Sequence, residues 1–442
     1  MIRIGKQLSS SQIIILGFAA LILIGSLLLM LPISTQDGSG AIFSDALFTA
    51  TSAVCVTGLI VQDTATYWSA FGQAVIIALI QIGGMGVVTV AISISLFSGK
   101  QISLKQRSTM QEAISAHKVG GIVRLTGFII KMTIIFELLG AVIMAPTFCK
   151  EFGVLKGIWY AVFHSISAFC NAGFDLMGVK TPYSSLTYFV DNPVINFVIM
   201  SLIVIGGIGF MTWDDFKVNK HHVRKYRMQS KVIMITTALL ISLPALYFFL
   251  FEFVDKPMGE RIWSSLFQSV TPRTAGFNTA DLTQISENGT AITTMLMLIG
   301  GSPGSTAGGM KTTTLAVLFS TAISVFRRRE HTHFFGRRVN DDAIRNAATI
   351  LMMYSILFMT GGFLISHIEG IPLLTCLYET ASAIGTVGLT LGITPTLGTV
   401  SQIILIVLMY IGRVGGLTLI FSALSGHQGN TARLPQEKIT VG

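Results

Sequence analysis

Apolar residues along this chain form long runs that alternate with shorter, half-polar runs. Four long runs are each able to cross a hydrocarbon core of about 30 Å as a helix of about 20 residues; they are 12–31, 122–146, 232–254 and 346–366. A shorter run, of a length that cannot cross, follows each one, at 43–54, 158–169, 261–271 and 373–384. Another long run closes each unit, at 74–97, 193–212, 290–325 and 400–423. The pattern predicts an all-α membrane protein of four tandem units, each a helix, a re-entrant segment and a second helix.

Two short motifs recur in step with these units. The first ends in a small residue, glycine and Leu or Phe, and appears as Ser52–Leu59, Ser167–Phe174, Val270–Phe277 and Ser382–Leu389. The second is glycine-rich and appears as Ile82–Gly86, Ile205–Gly209, Ile299–Gly304 and Ile411–Gly415. Two motifs that keep one period of about a quarter of the chain predict an internal repeat. The expected repeat boundaries are 1–100, 101–220, 221–335 and 336–442.

Composition and charge place these units in a bilayer. The chain is 51% hydrophobic and 12% charged, with a mean hydropathy of +0.70. Its net charge of +9 comes largely from Lys and Arg in alternate loops, near 98–125, 213–231 and 327–345. This alternation is typical of cytoplasmic loops, so we expect a multi-pass protein of the cell membrane with both termini cytoplasmic. The basic loops favour contact with anionic lipids over nucleic acid. We expect the first run to be a retained span, because it is too long for a signal peptide.

The re-entrant segments suggest a pore. Irregular backbone survives at membrane depth only inside protein or beside water, because unpaired amides and carbonyls are costly in lipid. Glycine at each return point allows backbone angles that turn successive carbonyls to one side, where they can replace the water around a desolvated cation. Close helix packing is the alternative explanation of these glycines, and for the second motif the two explanations are equally favoured.

The third unit contains a polar stretch, Gly300–Thr312, that cannot continue a regular helix. It is not expected to bind nucleotide, because Met310 separates Gly309 from Lys311, where a phosphate-binding loop has glycine next to lysine. Arg413 replaces the second glycine of the last motif. A buried arginine is expensive, so we expect it to hydrogen-bond loop carbonyls, to act as an electrostatic barrier near the pore, or both. Lys131 and Glu137 lie within a span and receive no role. The four cysteines and the surface histidines predict neither disulfide nor metal site.

These residues resemble the Trk/Ktr/HKT superfamily of potassium transporters, and in particular the Ktr-type membrane subunit. The resemblance covers nearly the whole chain, and the start of the chain at its first repeat favours Ktr over Trk. It implies a potassium selectivity filter of backbone carbonyls around Gly58, Gly173, Gly276 and Gly388, with K+ held between them. The filter residues implied are Val56, Thr57, Gly58, Asn171, Ala172, Gly173, Thr274, Ala275, Gly276, Thr386, Val387 and Gly388. Some sodium-favouring relatives carry serine at the first filter position, so Gly58 favours potassium.

The same resemblance implies an intramembrane gate and protein partners. The gate loop implied lies beneath the filter and comprises Gly304, Ser305, Thr306, Ala307, Gly308, Gly309 and Lys311. The loops of this chain are too short to hold a nucleotide-sensing domain, so a separate cytosolic ring of RCK (KTN) subunits is implied, together with a homodimer of membrane subunits. The resemblance also implies potassium as the transported ion and sodium as a candidate activator, and no organic cofactor is expected.

Two other classes of function compete with the pore. A sodium- or proton-coupled symporter also uses broken helices, but symporters usually contain two inverted repeats, whereas these four units all begin on the cytoplasmic side. An intramembrane enzyme would need a general base or a metal centre. The spans contain no paired carboxylates, no HExxH and no GxSxG motif, so we expect no enzymatic activity.

Overall fold

The computed structural model describes residues 9–90, 104–113 and 121–416. The first repeat comprises α1 (Ser10–Leu29), α2 (Phe43–Cys55) and α3 (Ala70–Met85). The second comprises α4 (Leu104–Ala113), α5 (Ile122–Phe152), α6 (Val154–Phe169), α7 (Pro193–Gly207) and α8 (Phe210–Asn219). Both expected cytoplasmic termini and the expected span ends 91–97 and 417–423 lie outside the described residues.

The third repeat comprises α9 (Met228–Tyr247), which continues as a π-helical turn (Phe248–Glu252), α10 (Met258–Val270), α11 (Glu287–Leu298) and α12 (Thr312–Phe326). A hairpin of β1 (His333–Phe334) and β2 (Arg337–Arg338) leads to the fourth repeat. That repeat comprises α13 (Asp341–Glu369), α14 (Leu373–Gly385) and α15 (Thr399–Val414). The order of long helix, short helix and second helix therefore recurs four times in the described residues.

The long helices begin at polar caps and present apolar faces outward. The Ser9 and Gln12 side chains form a capping box at the start of α1, and the Asn340 side chain caps α13. The helices of 18 or more residues that are apolar enough to span are α1, α5, α13, and α9 with its π-helical turn. Outward residues such as Leu27 and Val142 are 63% and 68% exposed. In a membrane protein such faces are covered by lipid.

The short helices lie inside this ring of long helices. In repeats one, two and four, the first glycine of the second motif lets the second helix pack tightly against the end of the short helix. A Cβ on Gly83, Gly206 or Gly412 would collide with the carbonyl oxygen of Val54, Phe169 or Ile384, respectively. Each of these carbonyls lies four residues before the glycine of the first motif, so the same close packing recurs in three repeats. Packing is therefore one function of the glycine-rich motif.

The second spans are interrupted, and the prediction of continuous second spans was wrong in repeats one, two and four. Helices α3 and α15 end directly before the last glycine of the motif, whereas α7 ends at Gly207, two residues before it, and bends by 94° into α8. The three glycines have φ values of 87°, 96° and 90° at Gly86, Gly209 and Gly415. A right-handed helix cannot pass through such angles. In repeat three the interruption is longer: residues 299–311, hereafter the central loop, separate α11 from α12.

Candidate functional site

The four glycines of the first motif meet in one ring, hereafter the glycine ring: Gly58, Gly173, Gly276 and Gly388. A Cβ placed on any of them would collide with the carbonyl oxygen just before the next glycine; those oxygens belong to Ala172, Ala275, Val387 and Thr57, in that order. The contacts close the circle, because the last glycine touches the first repeat. Residues more than 100 positions apart along the chain therefore converge at one point, with carbonyl oxygens between them.

The backbone takes the same unusual path in all four repeats. The residue two before each ring glycine is left-handed although it is not glycine, with φ of 57°, 60°, 62° and 51° at Val56, Asn171, Thr274 and Thr386. The ring glycines have φ of 93°, 69°, 82° and 95°. Non-glycine residues adopt such angles at a cost and usually where the surrounding structure enforces them. Residues with positive φ thus alternate with residues of ordinary backbone conformation. This alternation is what turns successive carbonyls to the same side.

Hydroxyl groups of the short helices hold this strained backbone in place. The amides of Gly58 and Gly388 donate to the Ser52 and Ser382 hydroxyls, both at 3.0 Å. The Ser167 hydroxyl donates to the carbonyl of Phe174 at 2.7 Å, and that of Thr271 to Phe277 at 2.5 Å. These four residues were absent from the predicted site. A hydroxyl five or six positions before each ring glycine was the signal that could have found them.

An outer cavity of about 150 Å³ opens directly on the glycine ring, and all four ring glycines line it. Polar residues of the segments after the ring also line this cavity, among them Asp175, Asn278, Asp281 and Thr390. The carbonyl ring therefore has a polar chamber on one side. A small cation could enter this chamber and exchange water for backbone oxygens.

The central loop lies against the other side of the glycine ring. The Thr306 hydroxyl contacts the Asn171 Oδ1 at 2.9 Å and the Phe169 carbonyl at 3.1 Å. A Cβ on Gly308 would collide with the Thr386 side chain. Asn171 and Thr386 are the left-handed residues of repeats two and four, so the loop touches two quadrants of the ring. The sequence analysis placed this loop beneath the ring only through the family resemblance.

The interrupted helices supply the groups that hold the central loop. The Ser302 amide donates to the Gly207 carbonyl at 2.9 Å, and the Phe210 amide donates to the Gly304 carbonyl at 2.7 Å. Within the loop, the Lys311 ammonium donates to the carbonyls of Ala307 and Gly308, at 2.8 and 3.2 Å. The Ser305 hydroxyl donates to the Ser302 carbonyl at 2.7 Å. The backbone groups that lose their helical partners at the breaks are thus hydrogen-bonded to other parts of the protein. This lowers the free-energy cost of the breaks at membrane depth.

Arg413 joins three repeats. Its guanidinium donates to the carbonyl of Thr306 in the central loop and to those of Gly83 and Gly84 at the end of α3, the last at 2.9 Å. Among the described residues its hydrogen-bond partners are carbonyls, and no ion pair includes it. A cavity of about 310 Å³ on the loop side is lined by Arg413, Lys311 and Glu112. The expected hydrogen bonds to loop carbonyls are therefore present, and the barrier role stays a prediction.

Two other charges of the predicted spans take no part in this arrangement. Lys131 lies on an exposed face of α5, consistent with a lipid-facing side chain that reaches towards the headgroups. Glu137 is buried, and the Cys170 thiol lies 4.0 Å from its Oε1. Cys170 itself precedes Asn171, so Glu137 lies behind the second repeat and not on the ring.

Comparison with known proteins gives consistent matches over nearly the whole chain. The family model described as TrkH, cation transport protein, matches residues 8–432. The potassium/sodium uptake protein NtpJ of Enterococcus hirae is 40% identical, over 100% of this chain and 99% of its own. The Ktr system potassium uptake protein B of Bacillus subtilis is 39% identical, over 98% and 96%. The potassium transporter TrkH from Vibrio parahaemolyticus, of known crystal structure, has a TM-score of 0.74 at 19% identity, over 95% of this chain and 86% of its own. This last match confirms the predicted all-α membrane fold.

Proposed function

Because the chain belongs to the TrkH family of cation transport proteins, we propose that it takes up potassium across the cell membrane through the glycine ring. The single observation that carries this proposal is the closed circle of contacts among the four ring glycines and the carbonyl oxygens between them. Rings of backbone carbonyl oxygens contributed by four loops can replace the hydration shell of K+. The family match also confirms the resemblance seen in the sequence.

The ion is proposed from the relatives as well as from the geometry. The names of both close relatives include potassium uptake, and that of the Enterococcus hirae protein includes sodium. Glycine occupies all four ring positions here, and a Cβ at any of them would collide with a ring carbonyl oxygen. We therefore infer K+ as the transported ion, held between Gly58, Gly173, Gly276 and Gly388, with sodium as the competing or activating ion.

The central loop is proposed to be the gate. It lies between the glycine ring and the loop-side cavity, so an ion leaving the ring must pass Thr306 and Gly308. Apart from the bond to the Arg413 guanidinium, its anchors are neutral hydrogen bonds to other repeats, each worth about 1 kcal/mol, which a modest conformational change can exchange. Arg413 braces the closed loop through Thr306 and places positive charge beside the ion path.

The wider assembly is proposed on the resemblance to Ktr-type subunits. We propose four repeats with boundaries 1–100, 101–220, 221–335 and 336–442, a homodimer with one pore in each protomer, and both termini in the cytoplasm. A cytosolic nucleotide-binding RCK ring would act on the gate through the basic loops, which also suit anionic lipids. One relative is named as part of a Ktr system, which is consistent with a regulatory partner.

Uptake of ⁸⁶Rb+ into K+-loaded proteoliposomes that contain the full chain tests this function. We expect saturable Rb+ uptake that external K+ inhibits and that proceeds without a sodium or proton gradient. Uptake that stops when both gradients are removed would instead identify a coupled symporter. A complete lack of Rb+ and Na+ movement, with the chain present in the vesicles, would refute transport by this chain alone.

A further inference from the structure

A buried carboxylate lies behind the fourth quadrant of the glycine ring. Glu379 belongs to the short helix α14, is 0% exposed, and lies nine residues before Gly388. The same position in the other repeats is held by Thr49, His164 and Phe267. His164 is neutral there, because its Nε2 accepts from the Leu176 amide while its Nδ1 lies 2.7 Å from the Tyr160 carbonyl. Of the four repeats, the fourth is thus the one with a carboxyl group at this position of the short helix.

The hydrogen bonds of Glu379 lead directly to the outer cavity. Its Oε1 accepts from the Thr390 hydroxyl and from the Thr394 hydroxyl, the latter at 2.9 Å. The Thr390 hydroxyl oxygen also accepts from the Gly392 amide at 2.9 Å. Thr390 lines the cavity with the four ring glycines. One threonine side chain therefore separates the carboxylate from the space in which an ion would approach the ring.

The carboxylate has no cationic partner within the part of the chain that the structure describes. No ion pair includes Glu379, and its Oε2 is buried without a hydrogen-bond donor. A buried carboxylate normally has such a partner, because burial opposes its charge. The two hydroxyl donors offset part of this cost, and a cation in the adjoining cavity would offset more.

We propose that Glu379 determines the cation affinity of the outer end of the pore, as a positioning residue that acts through Thr390. This inference rests on the proposed function, since it adds the buried Glu379 carboxylate to Asp175 and Asp281, which line the cavity that the transported ion would enter before the ring. Its Oε1 also holds the turn of Thr390 and Thr394 at the mouth of the cavity. Charge and hydrogen bonding can be separated, because glutamine retains an oxygen acceptor for both hydroxyls and lacks the charge.

The experiment measures the apparent KM and Vmax of ⁸⁶Rb+ uptake in proteoliposomes for the wild-type chain, E379Q, E379D and T390V. For a charge about 10 Å from the ion in an interior of effective dielectric constant about 20, loss of the charge is expected to raise KM about tenfold. We expect E379Q to show this rise with Vmax within about twofold of wild type. E379D should recover much of the affinity, because it restores the charge. T390V should raise KM less than E379Q, because the charge remains.

E369Q is the matched control. Glu369 is a carboxylate of the same repeat that accepts from the Gly398 amide at 2.9 Å and the Ser401 hydroxyl at 2.5 Å, and it does not line the outer cavity. Its KM should equal that of wild type. An unchanged KM in E379Q, or a lower Vmax alone, would overturn the inference. If E379Q does not reach the vesicles, an unchanged KM in T390V overturns it instead. Absence of wild-type uptake would refute the proposed function itself, which this design distinguishes from failure of the inference.

Discussion

The hydroxyl of Thr306 lies 2.9 Å from the Oδ1 of Asn171, so the central loop of the third repeat directly contacts the backbone that leads into the ring of the second. Asn171 is itself left-handed, with a φ of 60°, and its Nδ2 donates to the carbonyls of Ile203 and Arg273 at 3.3 and 3.4 Å. A movement of the loop therefore changes the support of the ring. Under the proposed function, this contact would link ion selection to the position of the loop.

The contact can be removed with little change of shape by T306V. Loss of a hydrogen bond worth about 1 kcal/mol should shift the loop about fivefold towards its displaced position. We expect faster ⁸⁶Rb+ uptake at saturating concentration. T349V is the control, because the Thr349 hydroxyl donates only to Arg345 within α13 and lies on the exposed face. Equal rates for T306V and wild type would show that this contact does not restrain the loop.

Deletion of residues 304–309 removes the part of the central loop that lies beneath the ring. We expect higher ion flux and weaker control by any regulatory partner, because the obstruction between the ring and the loop-side cavity is gone. Flux in proteoliposomes, with and without added cytosolic regulator, measures both effects. A deletion mutant that is well folded, with wild-type flux and wild-type regulation, would argue strongly against a gate.

Arg413 allows bracing and electrostatic repulsion to be separated. R413A removes both, whereas R413K keeps the charge but cannot reach the carbonyls of Thr306 and Gly83 at once. If bracing dominates, as the three carbonyl contacts suggest, both variants should raise flux and lower thermal stability in detergent. Hydrogen bonds to a charged group are worth about 1.5–3 kcal/mol each. Wild-type flux in R413K together with high flux in R413A would favour the electrostatic barrier.

G58S tests the glycine ring. Serine at a φ of 93° would carry strain of about 1–3 kcal/mol, and its Cβ would lie 2.5 Å from the Ala172 carbonyl oxygen. The ring must widen or lose that oxygen, so we expect the preference for K+ over Na+ to fall about tenfold. G370S is the control, since Gly370 also has positive φ (69°) but no atom within 4 Å of its Cβ position. The measurement is inhibition of ⁸⁶Rb+ uptake by K+ and by Na+. Inhibition in G58S that equals that in the wild type would show that Gly58 does not determine selectivity.

Ser52 and Ser382 should contribute to cation affinity, because they hold the backbone of the glycine ring in place. Each accepts the amide of a ring glycine at 3.0 Å, so S52A and S382A each remove about 1 kcal/mol of support and leave an amide unpaired. We expect a higher KM for Rb+ in each and a larger rise in the double variant. S366A is the control, because the Ser366 hydroxyl holds the Ile371 carbonyl at 2.8 Å, away from the ring. If the single and double variants have the same KM as S366A, the two hydroxyls are not needed for Rb+ affinity.

The pattern of apolar and polar residues was sufficient to predict the internal repeat, the long spans and the points at which the re-entrant segments turn back. Run length decides whether a helix can cross a bilayer, and the short helices α2, α6, α10 and α14 were predicted on that basis alone. Glycine at a return point signals a backbone that no ordinary helix adopts, which singled out Gly58 and its three counterparts. Both are local properties, visible in a window of some 20 residues. The close packing of Gly83, Gly206 and Gly412 was foreseen only as one of two alternatives.

Contacts between repeats could come only from the tertiary structure. In repeats one, two and four, sequence periodicity predicted unbroken second spans, and the breaks at Gly86, Gly209 and Gly415 were missed because a glycine in an apolar run is compatible with helix. Each break is stabilised by new hydrogen bonds to the carbonyls at the end of the helix. The central loop donates to the carbonyls of Gly206 and Gly207, and Arg413 donates to those of Gly83 and Gly84. These partners lie roughly 100 to 330 positions away. Hydrogen bonds over that separation depend on how four helical units close round an axis, and no local pattern of apolar and polar residues encodes which groups will meet there.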